Sequence, residues 1–269
     1  MPVMHSTFGP LVQNGQVLDH VPQLVAKPPG AAVQLGAMLS GSIRAVTSQI
    51  GPYTNWWNNQ NQEALGRSGP LLLVVGDSTA LGIGASHPAN GYIGWLMAAL
   101  NRESGHDEPW RVINLAQSGA KFDDGVRRQV PIARQLPAPD VAICCLGTND
   151  LVWGLNTTLL RRKARTLVAD VGDLLPQGAG CETVVCPVAG RSGRARLVNR
   201  AIRAAAEDVG VSFVNPWNEP GPGPSTRLAS DRFHPSDSGY ALMAKPIGRR
   251  LNVEAGKTEW GLAKSAVET

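Results

Sequence analysis

Leu71-Leu-Leu-Val-Val75 is an unbroken apolar run that stops at Gly76-Asp77-Ser78. Five apolar residues without alternation predict a strand buried on both faces, as in a parallel sheet. In such a sheet the carboxyl end of a strand is where ligands bind. A serine at that point sits on a rigid element with its hydroxyl toward a crevice. Leu81 to Pro88 reads as a loop, and residues 91–100 as a helix returning along the sheet. Strand, turn, serine, loop and helix are the layout of a nucleophile site. On this stretch alone, Asp77 and Ser78 read equally well as cap residues of a βα turn.

From Pro70 onward the pattern repeats. Apolar runs fall at 71–75, 111–116, 140–146, 183–186 and 211–214, with helix-like segments near 91–103, 122–134, 157–175, 193–209 and 236–251. Five strands alternating with helices predict an open parallel α/β sheet covered on both faces, with right-handed crossovers. At 269 residues and 43% hydrophobic content, the chain can bury one sizeable core plus an extension, or two small domains. The division expected is an N-terminal extension over 1–68, an α/β domain over 69–252 and a polar tail over 253–269. Within the extension, Leu35, Leu39, Ile43, Val46 and Ile50 recur at helical spacing, and Gly51-Pro52 is expected to stop that helix. A second, shorter helix is expected from Asn55 to Leu65. Two placements are open: packing against the main domain, or a lid over the serine. A membrane-surface helix is poorly supported, since Arg44 is its only basic residue.

Composition narrows the classes further. The formal net charge is +4 and the basic residues are scattered, which argues against nucleic acid as a partner. The first residues lack the basic start and apolar core of a signal peptide, and no run of about eighteen apolar residues occurs, so no membrane span and a cytoplasmic location are expected. Cys144, Cys145, Cys181 and Cys186 show no metal or redox spacing and read as reduced thiols; a Cys181–Cys186 bridge would span an extended segment, which disulfide geometry resists. Gly82-Ile-Gly84 lacks the third glycine of a dinucleotide fingerprint, no Gly-Lys-Ser/Thr phosphate loop exists, and the five histidines are dispersed, so no metal site is expected. Asn156-Thr-Thr158 matches a glycosylation acceptor, but no secretory signal gives it meaning.

The residues after each strand carry the chemistry. They are Asp77 and Ser78, then Gln117-Ser-Gly-Ala120, then Gly147-Thr-Asn-Asp150, and, before the last helix, Asp231-Arg-Phe-His-Pro235. Parallel strands share their carboxyl ends, so all four blocks are expected at one sheet edge. A serine hydroxyl needs an adjacent base, which His234 can supply. Asp231, three residues earlier, can turn back onto the other ring nitrogen and fix its tautomer. Attack on an ester carbonyl builds an oxyanion, and each donor aimed at it is worth about 3 kcal/mol. The backbone N–H groups of Ser78 and Gly119 and the Asn149 amide are the candidates. Each block alone has a structural explanation as a cap or turn. Four together in this order are hard to explain that way.

These blocks resemble those of the SGNH hydrolases, also called the GDSL esterase and lipase family. The likeness covers about residues 69 to 251. It implies Ser78 as nucleophile, His234 as base, Asp231 as its orienter, and Ser78, Gly119 and Asn149 as oxyanion donors. It also implies a flavodoxin-like three-layer α/β/α fold around a five-stranded parallel sheet, and no cofactor. Thr79 departs from the Leu of the family's name-giving motif. The wording from Gly76 to Ser86 looks like an actinobacterial branch. Residues 1–68 lie outside the shared pattern.

A small-molecule ester is the expected substrate. Arg191 and Arg194, after the fourth strand, can meet an anionic substrate group or simply be solvated at a helix start. Trp217, in the Pro- and Gly-rich segment 215–229, can line an acyl pocket or seal the core. The same triad would also serve an acyltransferase or a thioesterase. From another class, a catalytically idle module whose N-terminal helices hold a partner fits the same residues. Oligomeric state is not encoded in any pattern found.

Overall fold

The computed structural model describes residues 20–22, 25, 37–103, 105–151, 156–176, 180–190 and 192–256. Five parallel strands, β1 (Leu71–Gly76), β2 (Arg111–Asn114), β3 (Val141–Cys145), β4 (Glu182–Val185) and β5 (Ser212–Phe213), line up in the order β2-β1-β3-β4-β5. Leu72 pairs with Val112 on one side and Val141 on the other. This is the flavodoxin-like order, and it places a topological switch point between the carboxyl ends of β1 and β3.

The apolar run of β1 feeds two cores. Leu72 and Val74 point to one face with Tyr92, Leu96, Tyr240, Met243 and Trp57. Leu71, Leu73 and Val75 point to the other with Phe122, Leu160, Leu167, Val198 and Ile202. The helices divide accordingly. α1 (Gly41–Thr47), α2 (Ile50–Leu65), α3 (Tyr92–Glu103) and α7 (Asp237–Arg250) supply the first face. The composite helix α4 over 122–133, α5 (Thr157–Gly172) and α6 (Gly193–Val209) cover the second. The loop-to-helix transitions are capped by local chemistry: Asn156, Ser192 and Ser236 each accept a backbone N–H three residues on, and Gly210 ends α6 in the left-handed region.

Two elements differ from the sequence expectation. The N-terminal helices break at Ser48-Gln49, and Gly51-Pro52 lie inside the first turn of α2 instead of ending α1. Proline is tolerated there because first-turn N–H groups have no helical partner to lose. The segment read as one helix over 122–134 is a helical turn (Phe122–Asp124), a π-helical stretch (Gly125–Gln129) and a last turn (Val130–Ala133). Pro131 has no N–H to give to the fourth residue back, and the wide turn lies just before it.

The extension is built into the fold through α2. Trp57 is buried in the first core, and α2 packs along the edge strand β2. Asn61 is fully buried; its Nδ2 donates to the Asn114 carbonyl at 2.9 Å and its Oδ1 accepts the Asn114 N–H at 2.7 Å. Arg111 ties the linker after α2 by donating to the carbonyls of Gly69 and Ala64. Asn61→Ala would strand the Asn114 peptide groups in the interior. It should cost about 2 kcal/mol or more of unfolding free energy. Urea unfolding measures this, and an unchanged midpoint would show that the pair contributes nothing.

Candidate active site

The Ser78 turn follows from crowding at the end of β1. A Cβ on Gly76 would lie 2.5 Å from that of Ala80, so the chain can double back tightly only at a glycine. Asp77 then accepts the Thr79 N–H on Oδ1 at 2.9 Å, and its carbonyl accepts the N–H groups of Ala80 and Leu81. Ser78 is left at the top of this turn, 9% exposed, at the switch point between β1 and β3.

The His234 loop is shaped by its own aspartate. Oδ1 of Asp231 accepts the N–H groups of Phe233 and His234 at 3.0 and 3.1 Å. Arg232 takes a left-handed φ of 56° to make the reversal. The Ala229 N–H bonds the His234 carbonyl, and Leu228 and Pro235 form an antiparallel bridge. Asp231 Oδ2 then lies 2.6 Å from His234 Nδ1, and His234 Nε2 lies 3.0 Å from Ser78 Oγ. Burial works to raise the Asp231 pKa. The hydrogen bonds from the His234 ring and from the Phe233 and His234 backbone outweigh it and hold the carboxyl below its ordinary range. An ionised Asp231 accepts a hydrogen bond from Nδ1–H, which keeps that proton on Nδ1 and leaves Nε2 to accept from the serine hydroxyl.

The other side of the crevice carries Gly119 and Asn149. Gly119 has φ of +75° with open space where a Cβ would stand, so backbone conformation and not crowding asks for glycine. Gly147 opens the second turn at φ +120°, with Phe122 and Val198 packed where a Cβ would be. Asn149 Nδ2 donates to the Ala120 carbonyl at 3.0 Å and makes a long contact of 3.4 Å with Asp77 Oδ2. The next residue, Asp150, accepts the Phe122 N–H at 3.0 Å. The amide thus bridges the residue after Gly119 and the residue before Ser78.

The remaining candidates stand elsewhere. The Trp217 indole donates to the Pro187 carbonyl at 2.7 Å, and its ring packs on the first core. Arg194 lies in the first turn of α6, and Arg191 is outside the described residues. Phe233 is 62% exposed, its ring perpendicular to the His234 ring with 4.9 Å between centroids. Among the described residues no group of three or more His, Cys, Asp or Glu side chains is placed to hold a metal ion.

One contributor has no sequence signature. Gln129, fully buried in the π-helical stretch, accepts the Gly76 N–H and donates to the Gly76 carbonyl, both at 2.9 Å. Asp77 is 1% exposed, and burial pushes its carboxyl up to about 6 against the bond from the Thr79 N–H and the pull of His234.

The sequence model of the GDSL-like lipase/acylhydrolase family matches residues 74–242. The chain belongs to this family. With it comes the enzyme class of the GDSL-type carboxylic ester hydrolases. No curated protein matches in sequence. Among solved structures, the chain is similar to the psychrotrophic esterase EstA from Pseudoalteromonas sp., with TM-score 0.55 and 18% identity, over 68% of this chain and 100% of that one. It is likewise similar to the lipase/acylhydrolase from Enterococcus faecalis, with TM-score 0.53 and 17% identity, over 71% and 100%. The salicylyl-acyltransferase SsfX3 from a tetracycline biosynthetic pathway gives TM-score 0.53 and 16% identity, over 69% and 55%. At these identities the likeness is one of fold. Among the described residues no helix is long and apolar enough to cross a membrane.

Asp77 makes stability depend on pH in an unusual direction. Its folded pKa lies above the ordinary 3.8, so between that value and about 6 the folded state holds the extra proton. Stability from this group is present below that window and is lost as pH rises through it. Asn cannot ionise. Asp77→Asn should therefore compare better with wild type in thermal midpoint near pH 7 than near pH 5. A difference independent of pH would contradict a buried, neutralisable carboxyl here.

Proposed function

We propose that the protein is a serine esterase that hydrolyses small-molecule carboxylic esters through an acyl-enzyme on Ser78. The observation that supports this most is the continuous line from Asp231 through His234 to Ser78, with links of 2.6 and 3.0 Å. Ser78 Oγ attacks the ester carbonyl carbon while its proton passes to His234 Nε2. The carbonyl π electrons move to oxygen, where the Ser78 and Gly119 N–H groups and the Asn149 amide are the proposed donors. Collapse of the tetrahedral species breaks the ester C–O bond, and the imidazolium returns its proton to the departing alkoxide as alcohol leaves. Water then repeats the sequence, and the carboxylic acid is released. Asp231 remains ionised and stabilises the imidazolium in both halves.

The exposed Phe233 beside His234 makes an apolar rim on which the alcohol or acyl portion of the ester can rest. A cytoplasmic setting belongs to the same reading, supported by the free, buried thiols of Cys144, Cys145 and Cys186.

Turnover of p-nitrophenyl esters from acetyl to palmitoyl tests the reading. Ser78→Ala should abolish turnover and acyl-enzyme formation while leaving the fold intact. Asn149→Ala should lower kcat by about a hundredfold or more with little change in KM, because its donor serves the oxyanion and not the ground-state ester. Residual turnover in Ser78→Ala equal to wild type would overturn the mechanism. An added alcohol acceptor separates hydrolysis, which yields free acid alone, from acyl transfer, which yields a new ester.

A further inference from the structure

The loop after the nucleophile, residues 79–86, has no strand ladder to hold it, yet its backbone is pinned at successive positions by side chains. Three of them come from the N-terminal extension, outside the residues matched by the family. Gln49 Oε1 accepts the Gly84 N–H at 2.8 Å, and Gln49 Nε2 donates to the Ala85 carbonyl at 3.0 Å. The Tyr53 hydroxyl donates to the same carbonyl at 2.7 Å, and Trp57 Nε1 donates to the Leu81 carbonyl at 3.0 Å. From the far end of the chain, the Tyr240 hydroxyl donates to the Ile83 carbonyl at 2.7 Å. Burial, with the charge of Asp237, pushes the Tyr53 hydroxyl up to about 12, so it stays a donor.

Gly84 is where this loop meets the base. It has φ of +98°, and a Cβ on it would lie 2.5 Å from the Pro235 carbonyl oxygen and 2.7 Å from the His234 Cβ. The backbone that Gln49 grips is therefore the surface on which the His234 loop rests.

We propose that Gln49, seconded by Tyr53, is a positioning residue of the catalytic site: it fixes Gly84 and through it the approach of His234 to Ser78. The proposal rests on the reading of Ser78 and His234 as nucleophile and base. Proton transfer is sensitive to small displacements of its partners, so loosening this grip slows the chemical step without weakening substrate binding. A merely structural helix would lose stability and keep its kcat. Gln49 is partly exposed in the wall of an open depression of about 500 Å³, and α2 keeps Trp57 and Asn61 in place without it. A substitution there is accommodated.

The test uses the full chain. Gln49→Leu removes both bonds, Gln49→Glu keeps an acceptor for the Gly84 N–H, and Tyr53→Phe removes one hydroxyl. For each, kcat and KM on p-nitrophenyl butyrate are measured with the rate of Ser78 labelling by a fluorophosphonate and the thermal midpoint. Gln49→Leu should lower kcat and the labelling rate together by about tenfold, with KM within about twofold. Gln49→Glu should recover much of that loss, and Tyr53→Phe should show a smaller loss of the same kind. Wild-type kcat and labelling in Gln49→Leu, whatever its thermal midpoint, would overturn the proposal, as would equal losses in the Leu and Glu variants. If Gln49→Leu does not fold, Tyr53→Phe decides by the same split. A wild type that neither turns over esters nor is labelled at Ser78 would instead reject the esterase reading, leaving the two failures distinct.

Discussion

The close approach of the Gly84 backbone to His234 is the constraint on which the site depends. Ser78 and His234 are 156 residues apart in sequence, and neither lies in a strand or helix. The sheet brings their loops to the same edge but does not fix them to within the tenths of an ångström that a hydroxyl–imidazole hydrogen bond needs. That is done by contacts between the loops themselves. The missing Cβ at Gly84 lets them touch. Tyr240, from within α7, holds Ile83. Asp237, at the start of α7, accepts the N–H and the hydroxyl of Ser86 at 2.7 and 2.6 Å. α7 thus delivers His234 and clasps the serine loop with the same turn.

A second constraint lies on the other flank of Ser78. The β2 ladder ends at Asn114, and beyond it the chain still bonds β1 through the Leu115 N–H to the Val74 carbonyl and the Gln117 N–H to the Gly76 carbonyl. Where strands part, peptide groups lose their partners, and a buried unpaired N–H is costly. The amide of Gln129 pairs with both polar groups of Gly76, serving its N–H and sharing its carbonyl with the Gln117 N–H. Gln49 does the same one turn later at Gly84 and Ala85. A side-chain amide carries the same donor and acceptor as a peptide group, so each glutamine supplies one rung of sheet without a strand. The Ser78 segment is bracketed by the two.

The α/β rhythm and the Asp231–His234 pairing were legible because both rest on local signals. Unbroken apolar runs mark buried parallel strands, and Asp231-x-x-His234 closes its own turn. The glutamines were not legible. Gln49 sits where two helices meet and Gln129 inside a helix, and neither position has a composition or spacing that predicts what its amide will reach. Pro52 misled for the opposite reason: a strong local signal was read as a stop, although its place in the first turn of α2 costs nothing. The π-helical stretch was hidden likewise, since the apolar pattern of 122–134 is what an ordinary helix would show.

The mutual embrace of Asn61 and Asn114 bears on how this molecule behaves in a crowd. An open sheet has two borders, and a border with free peptide groups is a template for another chain. Here the β5 border is two residues long, and the β2 border is covered by α2, whose Asn61 occupies the peptide groups of Asn114. The segment that lies outside the family pattern therefore seals the sheet against strand-to-strand association, leaving neither border long enough or bare enough to recruit a neighbour.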